Sequence, residues 1–183
     1  MAVNSALLII DVQNAMFLPD NPVFNGDNLL DKIGKLADKF RSWNIPVIYV
    51  QHTSETNDKF KRGSYGWTVN SVINPVDGDL KAMKTNPDSF FKSELKEILD
   101  SHGVKNLFVC GIQTELCVDT TCRSAASKGY NVTLIKDAHS TFSGRIISPQ
   151  EIINYHNQIL KGWFVKLTDS SSILSAPDRS VLS

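Results

Sequence analysis

The chain contains 183 residues with a mass of 20.3 kDa, and 42% of them are hydrophobic. This length is typical of one domain, so we predict a single domain over residues 1–183, and the ordinary composition excludes disordered, collagen-like and low-complexity classes. Lys plus Arg (19) balance Asp plus Glu (19), and a net charge of zero without a basic stripe argues against a nucleic-acid partner.

Apolar segments alternate with amphipathic helical patterns along the chain. A continuous apolar run over residues 6–12 is typical of a strand buried on both faces. Apolar residues at helical spacing over 29–43 predict the first helix, and residues 46–50 predict a second strand. The polar segment 53–80 has no periodicity, and a loop of that length inside a compact domain is usually functional.

The same alternation continues to the end of the chain. A third strand should contain Lys81 and Lys84, and a capping box of Ser148 and Glu151 starts a late helix. The other predicted elements are a helix over 93–102, a strand over 106–112, a helix over 115–128, a strand over 131–136, a helix over 149–161 and a closing strand over 163–168. This order predicts an α/β fold with three α/β/α layers and a mainly parallel six-stranded sheet.

The cysteines and the N-terminus indicate the compartment. Three cysteines without a CxxC pair suit a reducing environment better than a disulfide scaffold. The apolar run at residues 6–10 is too short for a signal peptide, and no segment approaches the roughly 20 apolar residues of a transmembrane helix. We therefore predict a cytoplasmic protein without a membrane partner.

Cys117 is the most informative residue at the predicted binding edge, beyond the carboxyl ends of the strands. With Thr114 as the N-cap, Cys117 lies in the first helical turn, where free backbone N–H groups and the helix dipole favour a thiolate. This position predicts a nucleophile with a pKa below the ordinary thiol value, and the alternative is a small buried side chain. Cys110 and Cys122 are interpreted as core residues.

A carboxylate and a lysine are the expected partners of this thiol. Asp11 ends an otherwise apolar strand, where burial would suit it to proton transfer, and the alternative role is a cap of the next loop. A lysine in the same crevice would balance that charge and lower the pKa of the thiol. Both Lys81 and Lys84 are candidates.

Three separated motifs occur in order along the chain. The first is ALLIIDVQN over residues 6–14 with Phe17, the second is Lys84 followed five residues later by Ser89 and Phe90, and the third is GIQTELCV over residues 111–118. In order and spacing they resemble the isochorismatase-like cysteine hydrolase superfamily, in its metal-free, cysteine-bearing branch. The resemblance extends over nearly the whole chain, from about residue 5 to residue 168.

The resemblance implies a catalytic triad of Asp11, Lys84 and Cys117. It also implies a cis peptide bond between Ile112 and Gln113, with the backbone N–H groups of Gln113 and Cys117 forming an oxyanion hole. The implied reaction is attack of Cys117 on the carbonyl of a small amide, ureido compound or lactam, followed by loss of an amine and hydrolysis of the thioester. Asp11 would move the protons in both steps.

The resemblance also suggests a substrate pocket and bears on metal content. Phe17, His52, Trp67 and Gln113 are expected to line the pocket; the alternatives are a packing role for His52 and the burial of loop backbone for Trp67. Asp137 is expected to be structural. The nicotinamidase branch holds a metal with several ligands in the loop after the second strand, where this chain has only His52. One histidine does not build such a site, so neither a metal nor another cofactor is expected.

Two further functions and the assembly state are open at this point. Vinyl ether hydrolysis of the isochorismatase type relies on the aspartate and typically lacks the nucleophilic cysteine, so Cys117 argues against it. A non-catalytic assembly or regulatory member of the fold is the other alternative. We also expect a homo-oligomer, either a dimer or a tetramer, from the resemblance and from the surface of the 53–80 loop.

Overall fold

Six parallel strands form the central layer of the molecule, of which the computed structural model describes residues 4–144 and 146–182. The strands are β1 (Ser5–Ile10), β2 (Val47–His52), β3 (Leu80–Lys84), β4 (Asn106–Ile112), β5 (Asn131–Ser140) and β6 (Lys166–Thr168). Their order is β3-β2-β1-β4-β5-β6, and each neighbouring pair is parallel. The order reverses between β1 and β4, so the carboxyl ends of these two strands flank the crevice where such sheets bind ligands.

Helices cover both faces of the sheet, which confirms the predicted three-layer fold. They are α1 (Gly26–Ser42), α2 (Leu95–Ser101), α3 (Asp119–Ser127), α4 (Pro149–Leu160) and α5 (Ser170–Leu174). Apolar side chains of α1 and α5 belong to the core cluster on one face, and those of α2, α3 and α4 belong to the cluster on the other face. Within the described ranges, no helix combines the length and the apolar character that crossing a bilayer requires.

Strand β1 lies at the centre of the sheet, and all six of its residues are buried. Because successive side chains of a strand point to opposite faces, Leu7 and Ile9 pack in the cluster with α1, whereas Leu8 and Ile10 pack in the other cluster. Burial of each such side chain contributes about 1.5–3 kcal/mol. A charged residue directly after this strand therefore enters the least polar part of the molecule.

The start of the predicted helix over 115–128 differs from the prediction. The chain first forms a π-helical turn, Thr114–Val118, and α3 begins only at Asp119. Gln113, rather than Thr114, is the N-cap of the turn. Cys117 thus lies one position further along the turn than expected, and a π-helical turn widens the backbone around it.

The C-terminal region also differs from the prediction. Strand β5 extends to Ser140, four residues beyond the predicted end at 136, after a shift of register opposite β4. The predicted closing strand over 163–168 is wrong in its first half, because Trp163 is 89% exposed and β6 begins at Lys166. The chain then continues into α5, which the sequence analysis missed because this helix is short and rich in serine.

Candidate active site

Asp11 follows β1 directly and is completely buried at the crevice. Its backbone adopts a left-handed conformation with φ of 52°, and its N–H donates to the carbonyl of Val50 on β2 (2.9 Å). Aspartate is one of the few residue types that tolerate this conformation. Beside it, Gly111 pairs with Ile10 and has φ of 125°, and a Cβ at this glycine would lie 2.1 Å from the Ile10 carbonyl oxygen. The position therefore requires glycine.

Lys84 ends β3 and brings the other two predicted catalytic groups together. Its Nζ lies 2.6 Å from Oδ2 of Asp11 and 3.2 Å from Sγ of Cys117, and it donates to the Asn86 carbonyl (3.1 Å). The three protons of the ammonium group thus have three partners. The other candidate, Lys81, is exposed to solvent, so Lys84 is the lysine inside the crevice.

The charges at this site set the protonation state of the thiol. Burial raises the pKa of Cys117 to about 12, and the negative charge of Asp11 adds to this effect while Lys84 opposes it. The expected lowering of this pKa is therefore wrong, because burial and Asp11 outweigh Lys84. For Lys84, burial would lower the pKa, but the attraction of Asp11 and Cys117 outweighs burial and raises it. At rest, Asp11 is therefore paired with a protonated Lys84 beside a neutral thiol.

The loop before α3 carries Cys117 into the crevice. The Ile112–Gln113 peptide bond is cis, and the π-helical turn Thr114–Val118 follows at once. The carbonyl of the N-cap residue accepts the backbone N–H groups of Leu116 and Val118, each at 3.1 Å. These two bonds lie on either side of Cys117 and do not use its own N–H, which is the group expected to stabilise an oxyanion.

Buried amide side chains fix the loop over residues 53–80 above the crevice. Nε2 of Gln13 donates to the carbonyls of His52 (2.9 Å) and Trp67 (2.7 Å), and Oε1 of Gln13 accepts the N–H of His52 (2.9 Å). Gln51 donates a second hydrogen bond to the Trp67 carbonyl (3.0 Å), and the Trp67 indole donates to the Thr53 hydroxyl (3.0 Å). His52 and Trp67 are thereby held at the same edge of the sheet as the triad.

His52 is the predicted pocket residue that lies beside the triad. It pairs with Lys84 in the register of β2 and β3, and its ring lies edge-on to Phe60 with a centroid distance of 5.4 Å. Burial lowers the pKa of His52, and the positive charge of Lys84 lowers it further. Nδ1 of this ring is buried and has no hydrogen-bond partner among the residues that the structure describes.

The side chains of Gln113 and Phe17 are held by contacts outside the triad. Nε2 of Gln113 donates to Oε1 of Glu115 (3.1 Å), and that oxygen also accepts the hydroxyl of Thr141 (2.8 Å). Phe17 is partly buried against the core cluster of α1. The structure thus directs the Gln113 amide toward Glu115 of the nucleophile turn and Thr141, which follows β5.

Two polar groups on β5 complete the surroundings of the site. His139 is buried and lies between the hydroxyl of Thr114 and the side chain of Asn157, contacts that the sequence analysis did not foresee. No periodicity or motif indicates them, because they join three segments that are distant in the chain. Asp137 accepts hydrogen bonds from Lys32 (2.8 Å) and from the N–H and hydroxyl of Ser170 (2.8 and 2.7 Å), which is a structural role.

Neither a metal-ligating cluster nor the cavity between α1 and α4 coincides with this site in the part of the chain that the structure describes. Within residues 4–144 and 146–182, no group of three or more His, Cys, Asp or Glu side chains is arranged to hold a metal ion. A cavity of about 720 Å³ opens between α1 and α4, but none of the three triad residues lines it. The buried charges of Asp11 and Lys84 therefore lie outside this cavity, at the crevice.

Comparisons with known proteins identify relatives of this chain. A protein from Bacillus subtilis, the uncharacterized isochorismatase family protein YddQ, is 34% identical over 158 residues, which cover 82% of this chain and 87% of that protein. Nicotinamidase 3 from Arabidopsis thaliana is 32% identical, with 76% of this chain and 74% of that protein covered. Streptothricin hydrolase from Streptomyces noursei is 31% identical over 75% of this chain, and the match spans 54% of that longer protein.

Solved structures and a family-level match lead to the same conclusion. The crystal structure of an isochorismatase family protein superposes with a TM-score of 0.85 at 31% identity, covering 91% of this chain and 98% of the other. A cysteine hydrolase from Pseudomonas syringae shares the fold with a TM-score of 0.87 at 20% identity, covering 94% of this chain and 91% of the other. The family model described as "Isochorismatase domain" matches residues 5–154 of this chain. The chain therefore belongs to the isochorismatase family of hydrolases.

Proposed function

We propose that this protein hydrolyses a C–N bond of a small non-peptide molecule through a thioester on Cys117. The observation that carries the proposal is the meeting of a thiol, an ammonium group and a carboxylate in one buried crevice, with Lys84 in contact with both Asp11 and Cys117. A neutral thiol needs a base within reach to act as a nucleophile. Asp11 supplies that base, because its carboxyl group lies within hydrogen-bonding reach of the Cys117 thiol and shares Lys84 with it.

The first half of the reaction forms the thioester. Asp11 takes the proton from the thiol as Sγ of Cys117 attacks the carbonyl carbon, and the carbonyl electrons move to the oxygen. The backbone N–H groups of Gln113 and Cys117 stabilise this oxyanion. When the intermediate collapses, the C–N bond breaks, and the leaving nitrogen takes the proton from Asp11. Lys84 stays protonated throughout and offsets the negative charge that moves between the two groups.

The second half of the reaction releases the acid. Water attacks the thioester carbonyl while Asp11 accepts one of its protons, and the same N–H groups stabilise the second oxyanion. Collapse breaks the C–S bond, and the proton on Asp11 returns to the sulfur of Cys117. The free enzyme is thereby restored with all protons accounted for.

The names of two relatives support a C–N substrate. Nicotinamidase 3 and streptothricin hydrolase are each more than 30% identical to this chain, and the name of the first denotes hydrolysis of a carboxamide. We infer that the substrate is a small polar carboxamide, lactam or ureido compound.

The experiment that tests the proposal is a panel of carboxamides, lactams and ureido compounds, assayed for release of ammonia or amine. With a hit from the panel, hydroxylamine in the assay should divert part of the product into a hydroxamate, because it captures an acyl-enzyme. Acid quenching followed by intact-mass measurement should show one acyl group on the protein. The thioester mechanism predicts both results for the wild-type protein.

Variants of Cys117, in the π-helical turn, and of Cys122, on α3, separate the alternative functions. Cys117→Ala should abolish turnover and acylation, whereas Cys122→Ala, on α3 and buried in the core, should retain turnover at a modest loss of stability. Turnover that survives Cys117→Ala would move the chemistry to Asp11 and favour vinyl ether hydrolysis. Absence of thiol acylation by any carbonyl probe would favour a non-catalytic member of the family.

A further inference from the structure

His139 lies at the end of β5, opposite Gly111 of β4, and is almost completely buried. Its Nδ1 is 2.8 Å from Oγ1 of Thr114, and its Nε2 is 3.0 Å from Oδ1 of Asn157. The imidazole thus connects the first residue of the nucleophile turn to α4. None of the three motifs behind the family resemblance contains this histidine.

The contacts of Asn157 fix which nitrogen of the ring carries the proton. Its Nδ2 donates to the carbonyl of Lys136 (3.0 Å), so its Oδ1 must face His139. An amide oxygen only accepts, so Nε2 of His139 is the protonated nitrogen and Nδ1 is the acceptor. The hydroxyl of Thr114 therefore donates to Nδ1. Burial lowers the pKa of His139 to about 4, so the ring remains neutral.

Thr114 is the link between this histidine and the reacting atoms. It stands between Gln113 and Cys117, whose N–H groups form the proposed oxyanion hole, and its carbonyl accepts the N–H of Asp119 at the end of the turn. The backbone of Thr114 is held by that bond, and its side chain is held by His139. A shift of this one residue would move both oxyanion donors together.

We propose that His139 is a positioning residue that holds the oxyanion-forming turn in place through its hydrogen bond from Thr114. The inference rests on the proposed function, because it assigns the histidine a role in the same acyl transfer. A positioning role differs from simple core packing in one respect. It depends on the acceptor at Nδ1, not on the volume of the ring.

Two substitutions of His139 separate the acceptor from the rest of the ring. In His139→Asn, the amide oxygen occupies the place of Nδ1 and can accept the Thr114 hydroxyl. In His139→Gln, the longer amide reaches the place of Nε2 and can donate to Asn157, but nothing accepts from Thr114. Thr114→Val removes the hydroxyl alone at nearly constant volume, and Thr114→Ser retains it.

The readout compares two probes that differ in their need for an oxyanion hole. Acylation by p-nitrophenyl acetate passes through a tetrahedral oxyanion and is followed by release of p-nitrophenolate. Alkylation by iodoacetamide at the same sulfur forms no oxyanion, so its rate reports only on the nucleophile. Removal of an oxyanion donor typically costs about 100- to 1000-fold, and a displaced donor should cost less. We expect His139→Gln and Thr114→Val to slow acylation about tenfold or more.

The same two variants should change the alkylation rate less than about twofold, within ordinary context effects. His139→Asn and Thr114→Ser should retain acylation near the wild-type rate, and combining His139→Gln with Thr114→Val should add no further loss. The inference is overturned if His139→Asn loses as much acylation as His139→Gln, or if acylation and alkylation fall in parallel. If the wild-type protein is not acylated at Cys117, both the inference and the proposed function are overturned. If only the pattern among the variants fails, the inference alone is overturned.

Discussion

Replacement of Lys84 by methionine should be among the most destabilising single substitutions in this chain. The lysine and Asp11 form an ion pair of 2.6 Å in which both side chains are 0% exposed. Methionine preserves most of the aliphatic volume but removes the charge. Asp11 would then be a buried carboxylate without a cation, in a position where its backbone is held by β2 and cannot move to solvent.

The expected magnitude follows from that burial. Loss of one partner of a buried ion pair typically costs about 3–5 kcal/mol, which is a large share of the roughly 5–15 kcal/mol that stabilises most domains. The double substitution Asp11→Asn with Lys84→Met removes both charges and should recover much of the loss.

Urea unfolding, followed by circular dichroism, measures these differences as shifts of the midpoint at constant slope. The matched control is Lys35→Met, because Lys35 pairs with Asp31 on the surface of α1 with both side chains more than half exposed. That change should cost less than about 0.5 kcal/mol. The reasoning is wrong if Lys84→Met unfolds at nearly the same urea concentration as Lys35→Met. It is also wrong if the double variant, Asp11→Asn with Lys84→Met, is less stable than Lys84→Met alone.

Four further outcomes follow from the same geometry. Asp11→Asn should speed alkylation of Cys117 at pH 8, because it removes a charge that raises the pKa of the thiol, while it abolishes turnover; slower alkylation would contradict this. Gly111→Ala should lower the urea midpoint sharply, since its Cβ would lie 2.1 Å from the Ile10 carbonyl oxygen, and an unchanged midpoint would refute the requirement for glycine. Dialysis against EDTA should leave acylation by p-nitrophenyl acetate unchanged, and recovery of a lost rate on addition of zinc would contradict metal independence. Sedimentation should give two or four times the chain mass of 20.3 kDa, and a species of 20.3 kDa at micromolar concentration would refute a homo-oligomer.

The sheet was predictable from sequence because its strands carry strong apolar runs. β1 and β4 are buried along nearly their whole length, and no polar periodicity competes with the interpretation as central strands. The capping box at Ser148 similarly fixed the start of α4. The end of β5 was not predictable, because Asp137 and His139 interrupt the apolar pattern and find their partners on other elements.

The triad residues could be named from sequence only in part. Asp11 and Cys117 follow apolar strands at the predicted binding edge, so their positions in the sequence predict that the two side chains lie close together. The choice between Lys81 and Lys84 depends on which side chain points inward from β3, and the strand is too short and too polar for its alternation to decide this. The structure decides it through burial of Lys84 and exposure of Lys81.

The protonation state of Cys117 shows why position alone does not determine chemistry. The start of a helix and a nearby lysine both favour a thiolate, but burial and Asp11 act in the opposite direction and raise its pKa to about 12. A resting thiolate would place a second negative charge against Asp11 with only one cation, Lys84, to balance both. A neutral thiol leaves the buried site with no net charge. In the proposed mechanism, the negative charge leaves Asp11 only when a substrate carbonyl can receive it, so this arrangement would couple activation of the nucleophile to the presence of a substrate.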